Sequence, residues 1–297
     1  MQAIETAQLT KDYGNGRGLF DLNLEVGQEE IFGFLGPNGA GKTTTIRLLM
    51  DMIRPDLGHA RVLGLDAHTD SVAVKREVGY LPGELPEFGR MRGSEIVGYI
   101  AGLRRIDATR RIAELCERFH IDLAPRYKEL SRGNKQKLGL LLAFMHEPRL
   151  LILDEPTSGL DPLMQEEFHV LVREVRHQGA TVFLSSHVLS EVEQACDRAA
   201  IVREGRLAQV VKLDQLHGMR IRHLEITFAD PPDEELLRNV AGVEDVSVVG
   251  SMARCTVRGL FGPLIKTLAG RNILSLTSRE PSLEELFLNL YRSANHS

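Results

Sequence analysis

The chain has 297 residues, 43% hydrophobic and 26% charged, which suits one large folded domain and a smaller one. Its net charge of -5 gives no basic surface on average, so nucleic acid is not an indicated partner. The densest apolar stretch, Leu138 to Met145, falls far short of the ~20 residues that span a bilayer, so action at a membrane would require another chain to do the spanning.

The first residues, Met1-Gln2-Ala3-Ile4-Glu5, offer neither a basic start nor an apolar core, so no secretory signal is expected. Residues 4–35 read as short strands with turns. Leu22, Leu24 and Val26 alternate with polar residues, as a half-buried strand does. Between these strands, 10–16 is a turn region. Its Tyr13 is placed either to stack on a nucleotide base or as an ordinary surface-turn tyrosine.

Ile31-Phe32-Gly33-Phe34-Leu35 reads as a buried strand, and Gly36-Pro37-Asn38-Gly39-Ala40-Gly41-Lys42-Thr43-Thr44 follows at once. This is the phosphate-binding spacing of Gly, four residues, Gly-Lys-Thr. The next residues form a helix with Ile46, Leu49 and Met50 on one side. Glycines let successive backbone N–H groups approach phosphate oxygens, and a helix start adds donors and the positive end of its dipole. Lys42 would reach the outer phosphates, and the Thr43 hydroxyl would ligate Mg²⁺. The bland alternative is a glycine turn with an exposed lysine.

Residues 60–66 read as a strand and turn, and 78–82 as an apolar strand broken by Pro82. From 92 to 147 the pattern is helical, with helices over 93–105, 107–119 and 131–146. Strand residues are scarce there, so the stretch reads as a helical insert in an α/β core. Ser131 is suited to cap the third helix, whose free N–H groups also form an anion site.

Leu150-Leu151-Ile152-Leu153 is apolar without a break, as a buried parallel strand is, and it ends in Asp154-Glu155. An aspartate there can hold Mg²⁺, and a neighbouring carboxylate can polarise an attacking water. A helix over 162–178 follows, stopped by Gly179. The strand over 180–184 ends in Ser185-Ser186-His187, where His187 is either structural or placed to meet a γ-phosphate or its water. A helix (188–196), a strand (199–202) and a hairpin turned at Arg203-Glu204-Gly205 complete this part. Cys116, Cys196 and Cys255 are far apart and make no metal-type spacing, which fits plain thiols in a reducing compartment.

Residues 212–221 read as a linker. Beyond it the order strand, helix, strand, strand, helix, strand points to a small ferredoxin-like α+β domain. A last helix over 281–291 places Leu283, Leu286, Phe287, Leu290 and Tyr291 on one side, for packing on its own domain or for a dimer contact.

Five separated motifs occur in a fixed order: Tyr13, the glycine loop, Leu130-Ser131-Arg132-Gly133-Asn134, Leu151 through Asp161, and Ser185-Ser186-His187. Over residues 3–218 the chain resembles the ATP-binding subunit of an ABC transporter. The tail with Ser282-Leu283-Glu284-Glu285-Leu286-Phe287 is similar to that of subunits serving drug-type or other ABC exporters. The resemblance implies an α/β fold: a P-loop NTPase (RecA-like) core with an N-terminal antiparallel β part and the helical insert. The ATP-binding domain would span 1–218 and the small α+β domain 222–297.

The resemblance also assigns roles. Tyr13 would stack on adenine. Gly36, Pro37, Asn38, Gly39, Ala40, Gly41, Lys42, Thr43 and Thr44 would wrap the phosphates of ATP, and Thr43 and Asp154 would hold Mg²⁺. Glu155 would be the general base and His187 the γ-phosphate sensor. Ser131, Gly133 and Asn134 would touch ATP held by a second copy, so that a homodimer encloses two ATP, with Asp161 at its interface. The dimer would power export through a separate integral-membrane permease, contacted by the loop running from Gly83 to Arg92. The protein would then be cytoplasmic and peripheral on the inner face of the membrane. The rival within the family is an ATPase acting on ribosomes or DNA, but such proteins usually carry two ATPase units or long coiled coils.

Two departures stand out. The family usually has Leu-Ser-Gly-Gly-Gln, whereas this chain has Arg132 and Asn134 at the third and fifth places. The family also usually has Gln where this chain has Gly83, followed by Glu84. Either Glu84 substitutes or water completes the metal shell; water is favoured, because a carboxylate beside phosphates adds repulsion.

Overall fold

The computed structural model describes residues 2–213 and 221–279, and the chain divides into two compact units, Met1–Leu213 and Asp214–Ser297. Most of the expected linker, the last helix over 281–291 and the tail motif from Ser282 to Phe287 lie outside the described residues.

In the first unit, alternating apolar residues make a four-stranded antiparallel sheet. β1 (Gln2–Asp12) pairs with β2 (Gly18–Gly27), and β4 (Leu57–Val62) and β5 (Leu65–Asp66) extend it in the order β2-β1-β4-β5. Leu22, Leu24 and Val26 are buried, and the residues between them are exposed. The first strand is longer than its sequence pattern indicates. Pairing of Lys11 with Leu19 and Asp12 with Gly18 carries the ladder through Asp12, and the turn is confined to the residues between Asp12 and Gly18.

The second sheet has six strands in the order β10-β9-β3-β8-β7-β6. β3 (Ile31–Leu35), β6 (Val78–Leu81), β7 (Leu150–Asp154), β8 (Thr181–Ser186) and β9 (Arg198–Arg203) are parallel, and β10 (Arg206–Lys212) turns back along β9. Every residue of β3, β7 and β8 is buried, as expected of strands covered on both faces. Phe32 stacks on Phe183 at 6.1 Å across neighbouring strands. The helices of this core are α1 (Lys42–Leu49), α2 (Ser71–Glu77), α6 (Pro162–His177) and α7 (Leu189–Ala195). Gly33 lets α7 approach β3, because a Cβ there would meet Val192 Cγ1 at 2.6 Å. The sequence pattern does not reveal α2: the helix buries only Val74, so it carries almost no amphipathic signal.

The insert holds α3 (Gly93–Arg104), α4 (Thr109–Arg118) and α5 (Arg132–Phe144). Ser131 caps α5, its Oγ accepting from the Asn134 N–H at 3.3 Å.

The second unit runs β11 (Ile221–Phe228), α8 (Glu234–Arg238), β12 (Val243–Val249), β13 (Met252–Arg258), α9 (Gly262–Leu268) and β14 (Ile273–Arg279). Its antiparallel sheet has the order β12-β13-β11-β14, so the strand following the first helix lies at one edge and the last strand at the other. That is the ferredoxin-like arrangement. Leu224, Ile226, Phe228, Leu237, Val257, Leu264 and Leu268 share its core.

Candidate nucleotide-binding site

The site forms where β3, β7 and β8 end on the same side of the parallel sheet, the side on which open α/β folds bind ligands. The glycine loop leaves β3 and enters α1. At Gly36 a Cβ would lie 2.2 Å from the Val202 carbonyl oxygen, so only glycine fits. Gly41 has φ of 105°, a left-handed conformation that glycine adopts without strain.

Lys42 is 5% exposed. Its ammonium donates to the Gly36 carbonyl at 2.6 Å and lies 3.3 Å from Glu155 Oε1. The Thr43 hydroxyl donates to Asp154 Oδ2 at 2.9 Å, and the Ser185 hydroxyl donates to Asp154 Oδ1. Asp154 is 2% exposed, so these bonds hold a carboxylate that burial would otherwise penalise. Tyr80 lies on the adjacent strand. Burial, with the Asp154 charge adding to it and Arg47 opposing, raises its phenol to about 12.

The chain changes direction at Glu155, whose φ of 49° is left-handed. Its N–H donates to the Ser185 carbonyl at 3.2 Å, and Gln136 Nε2 donates to the carbonyls of Glu155 (3.2 Å) and Pro156 (2.8 Å). The turn aims the carboxylate between Lys42 and His187. Oε1 faces Lys42 and Oε2 lies 2.8 Å from His187 Nδ1. His187 is half exposed.

A cleft of about 450 Å³ opens over these groups. Pro37, Asn38, Gly39, Gly41, Lys42, Thr43 and Thr44 line it with Tyr13, Asp154 and Glu155. Gly36 and Ala40 are buried behind this surface. Gly83 also lines the cleft, and a Cβ there would stand 3.2 Å from Asp154 Oδ2. The position of the usual glutamine therefore faces the buried carboxylate but offers no side chain. Glu84 is exposed and is not among the lining residues.

Ser131, Gly133 and Asn134 do not line this cleft. Ser131 and Asn134 are exposed. Asp161 caps α6, its Oδ1 accepting from Met164 N–H at 3.1 Å.

Several site residues escape a reading of the sequence. Arg17, Gly18, Glu204 and Gly205 line the cleft. Glu204 and Gly205 are legible as a hairpin turn only. Hydrogen bonds from Gly205 N–H to the Ala40 carbonyl and from Phe20 N–H to the Gly205 carbonyl bring that turn against the glycine loop. Ser185 is legible as a strand end, and its register beside Asp154 comes from the sheet.

Residues 19–158 match the family described as ABC transporter. The bacitracin transport ATP-binding protein BcrA of Bacillus licheniformis is 34% identical over 97% of this chain and 96% of its own. The chain belongs to the ABC transporter family, as an ATP-binding subunit. The linearmycin resistance ATP-binding protein LnrL of Bacillus subtilis (strain 168) is a further relative, 32% identical over 97% of each chain. A solved ATP-binding subunit of an ABC transporter superposes with a TM-score of 0.68 at 28% identity, covering 73% of this chain and 92% of that one. Membership makes this chain an ATPase. Among the described residues, no helix is long and apolar enough to cross a membrane.

Proposed function

We propose that two copies of this chain enclose two ATP molecules and power export of an antibiotic-type substrate through a separate integral-membrane permease. The observation that carries the dimer is the division of the site. The phosphate-facing groups share one cleft, whereas Ser131, Gly133 and Asn134 lie outside it on the exposed start of α5. A second copy in two-fold arrangement would bring those residues to the open side of the cleft, and symmetry then requires two sites. The export reading draws on the relatives, which are named for bacitracin transport and linearmycin resistance.

Tyr13 stacks on the base and the glycine loop wraps the phosphates. Phosphate oxygens compete with Glu155 Oε1 for the Lys42 ammonium, so ATP binding releases Glu155 toward water. Glu155 accepts a proton from that water as it attacks the γ-phosphorus, and the bond to the bridging oxygen breaks to leave ADP. His187, 2.8 Å from Glu155, orients the carboxylate and meets the γ-phosphate. Thr43 and Asp154 present hard oxygen donors 2.9 Å apart and would hold Mg²⁺, whose charge offsets that of the phosphates. Gly83 offers no ligand and Glu84 is not among the cleft's lining residues, so water would have to supply the remaining ligands of a bound Mg²⁺. The loop between Gly83 and Arg92 contacts the permease, which places the subunit at the cytoplasmic face of the membrane. Residues 1–218 form the ATP-binding domain and 222–297 a separate one.

The test is Glu155→Gln. Turnover is expected to fall by at least about a hundredfold, the scale of a lost general base. ATP binding should persist, and an ATP-dependent dimer should accumulate on size exclusion. Unchanged turnover removes Glu155 as the base, and a protein that stays monomeric with saturating ATP removes the dimer.

A further inference from the structure

Arg132 occupies a place where the family usually has glycine, and its side chain is engaged within its own subunit. Its Nη2 donates to Ser158 Oγ at 2.8 Å. Its stem lies over Gly159: a Cβ on Gly159 would meet Arg132 Cγ at 3.5 Å and Cδ at 3.7 Å. Gly133 makes the neighbouring contact, so close that a Cβ there would sit 2.7 Å from the Gly159 carbonyl oxygen. One turn further along α5, Gln136 holds the carbonyls of Glu155 and Pro156. Three successive attachments thus join the start of α5 to the loop that begins at Glu155 and ends at the cap Asp161.

We propose that Arg132 is a positioning residue that fastens the 131–134 segment to the 155–161 loop, so that this copy's base and the surface it offers to a second copy's ATP move as one block. The role rests on the dimer reading above. Gln136 makes the inner attachment and is 8% exposed, whereas Arg132 makes the outer one and is exposed. A guanidinium donating to a neutral hydroxyl is a charge-assisted bond. Without it, the segment around Ser131 is held by Gln136 and by the tight Gly133 contact, and its outer end loses its link to the loop. The monomer's own cleft contains neither Arg132 nor Ser158. Loss of the fastening therefore weakens ATP-dependent dimerisation and leaves ATP binding by one subunit unchanged.

The experiment compares Arg132→Ala, Ser158→Ala, their double variant and Arg132→Lys, all in the Glu155→Gln protein. Two quantities are read: the ATP concentration at half-maximal dimer formation, and the affinity of the monomer for a fluorescent ATP analogue. Each alanine variant is expected to raise the first by about fivefold, the scale of one solvent-exposed hydrogen bond. The double variant should be no worse than either single one, Arg132→Lys should recover part of the loss, and monomer affinity should not move. Unchanged dimerisation in Arg132→Ala, or effects of the two alanines that multiply, overturns the fastening while the dimer stands. A Glu155→Gln parent that never dimerises with ATP overturns both readings at once.

Discussion

The two faces proposed for the ATP site differ in how each is held. The nucleotide face is largely set within the subunit: Asp154 and Lys42 are almost fully buried, and their polar atoms are bonded to Ser185, Thr43 and the Gly36 carbonyl. The face around Ser131 is exposed, with a 3.3 Å cap and an arginine bond at its rim. Buried, mutually bonded groups keep their geometry before ligand arrives, so the first face can bind ATP alone. The second does not line its own cleft, and in the proposed dimer it would act only on the ATP of another copy.

Removing Lys42 attacks the first face directly. Lys42→Ala is expected to weaken ATP binding to the monomer by roughly a hundredfold or more, through loss of a nearly buried cation facing phosphate. Isothermal titration checks it, and affinity within threefold of the parent would mean that the nucleotide is held elsewhere. Gly133→Val attacks the second face, because its first side-chain atom would sit 2.7 Å from the Gly159 carbonyl oxygen. ATP should still bind the monomer, but dimer formation and turnover should drop by about tenfold or more, the scale of a 1–3 kcal/mol steric misfit. An equal loss of ATP binding by the monomer would break the distinction between the faces.

The smallest effect is one of pH and also falls on the α5 side. His146, just beyond α5, bonds through Nε2 to the Val78 carbonyl at 3.2 Å. Burial, helped by the Arg104 charge and opposed by that bond, lowers its imidazole from 6.5 to about 4. The unfolded chain therefore takes up the proton first as pH falls. Stability contributed by neutral His146 is present above 6.5 and is lost as pH drops toward 4. Urea unfolding at pH 7 and pH 5 should differ by about 1–2 kcal/mol more in the parent than in His146→Gln. A parent and variant with parallel pH profiles would exclude His146 as the group responsible.

Much of this molecule is legible in the chain. A glycine loop between an apolar strand and a helix, and Asp154-Glu155 after four apolar residues, are local patterns whose meaning comes from spacing. The βαββαβ order of the second unit is legible for the same reason, since each element carries its own periodicity. The place of the Glu204-Gly205 turn beside the glycine loop, the bond of the Ser185 hydroxyl to Asp154 and those of the Gln136 amide are not legible. Each acts on a residue that lies distant in sequence, and nothing local marks it.

By itself, the sequence pointed to a phosphate site and to the residues proposed to carry its charge, and its motifs resemble those of the ABC transporter family to which the chain belongs. Only the tertiary structure decided that Glu155 stands between Lys42 and His187, that Gly83 faces Asp154 with no side chain, and that Arg132 is tied to Ser158. The physical reason is range. Backbone freedom, helix caps and apolar periodicity are properties of neighbouring residues, whereas distances across a parallel sheet and its helical insert depend on the register of strands and helices joined by long crossovers.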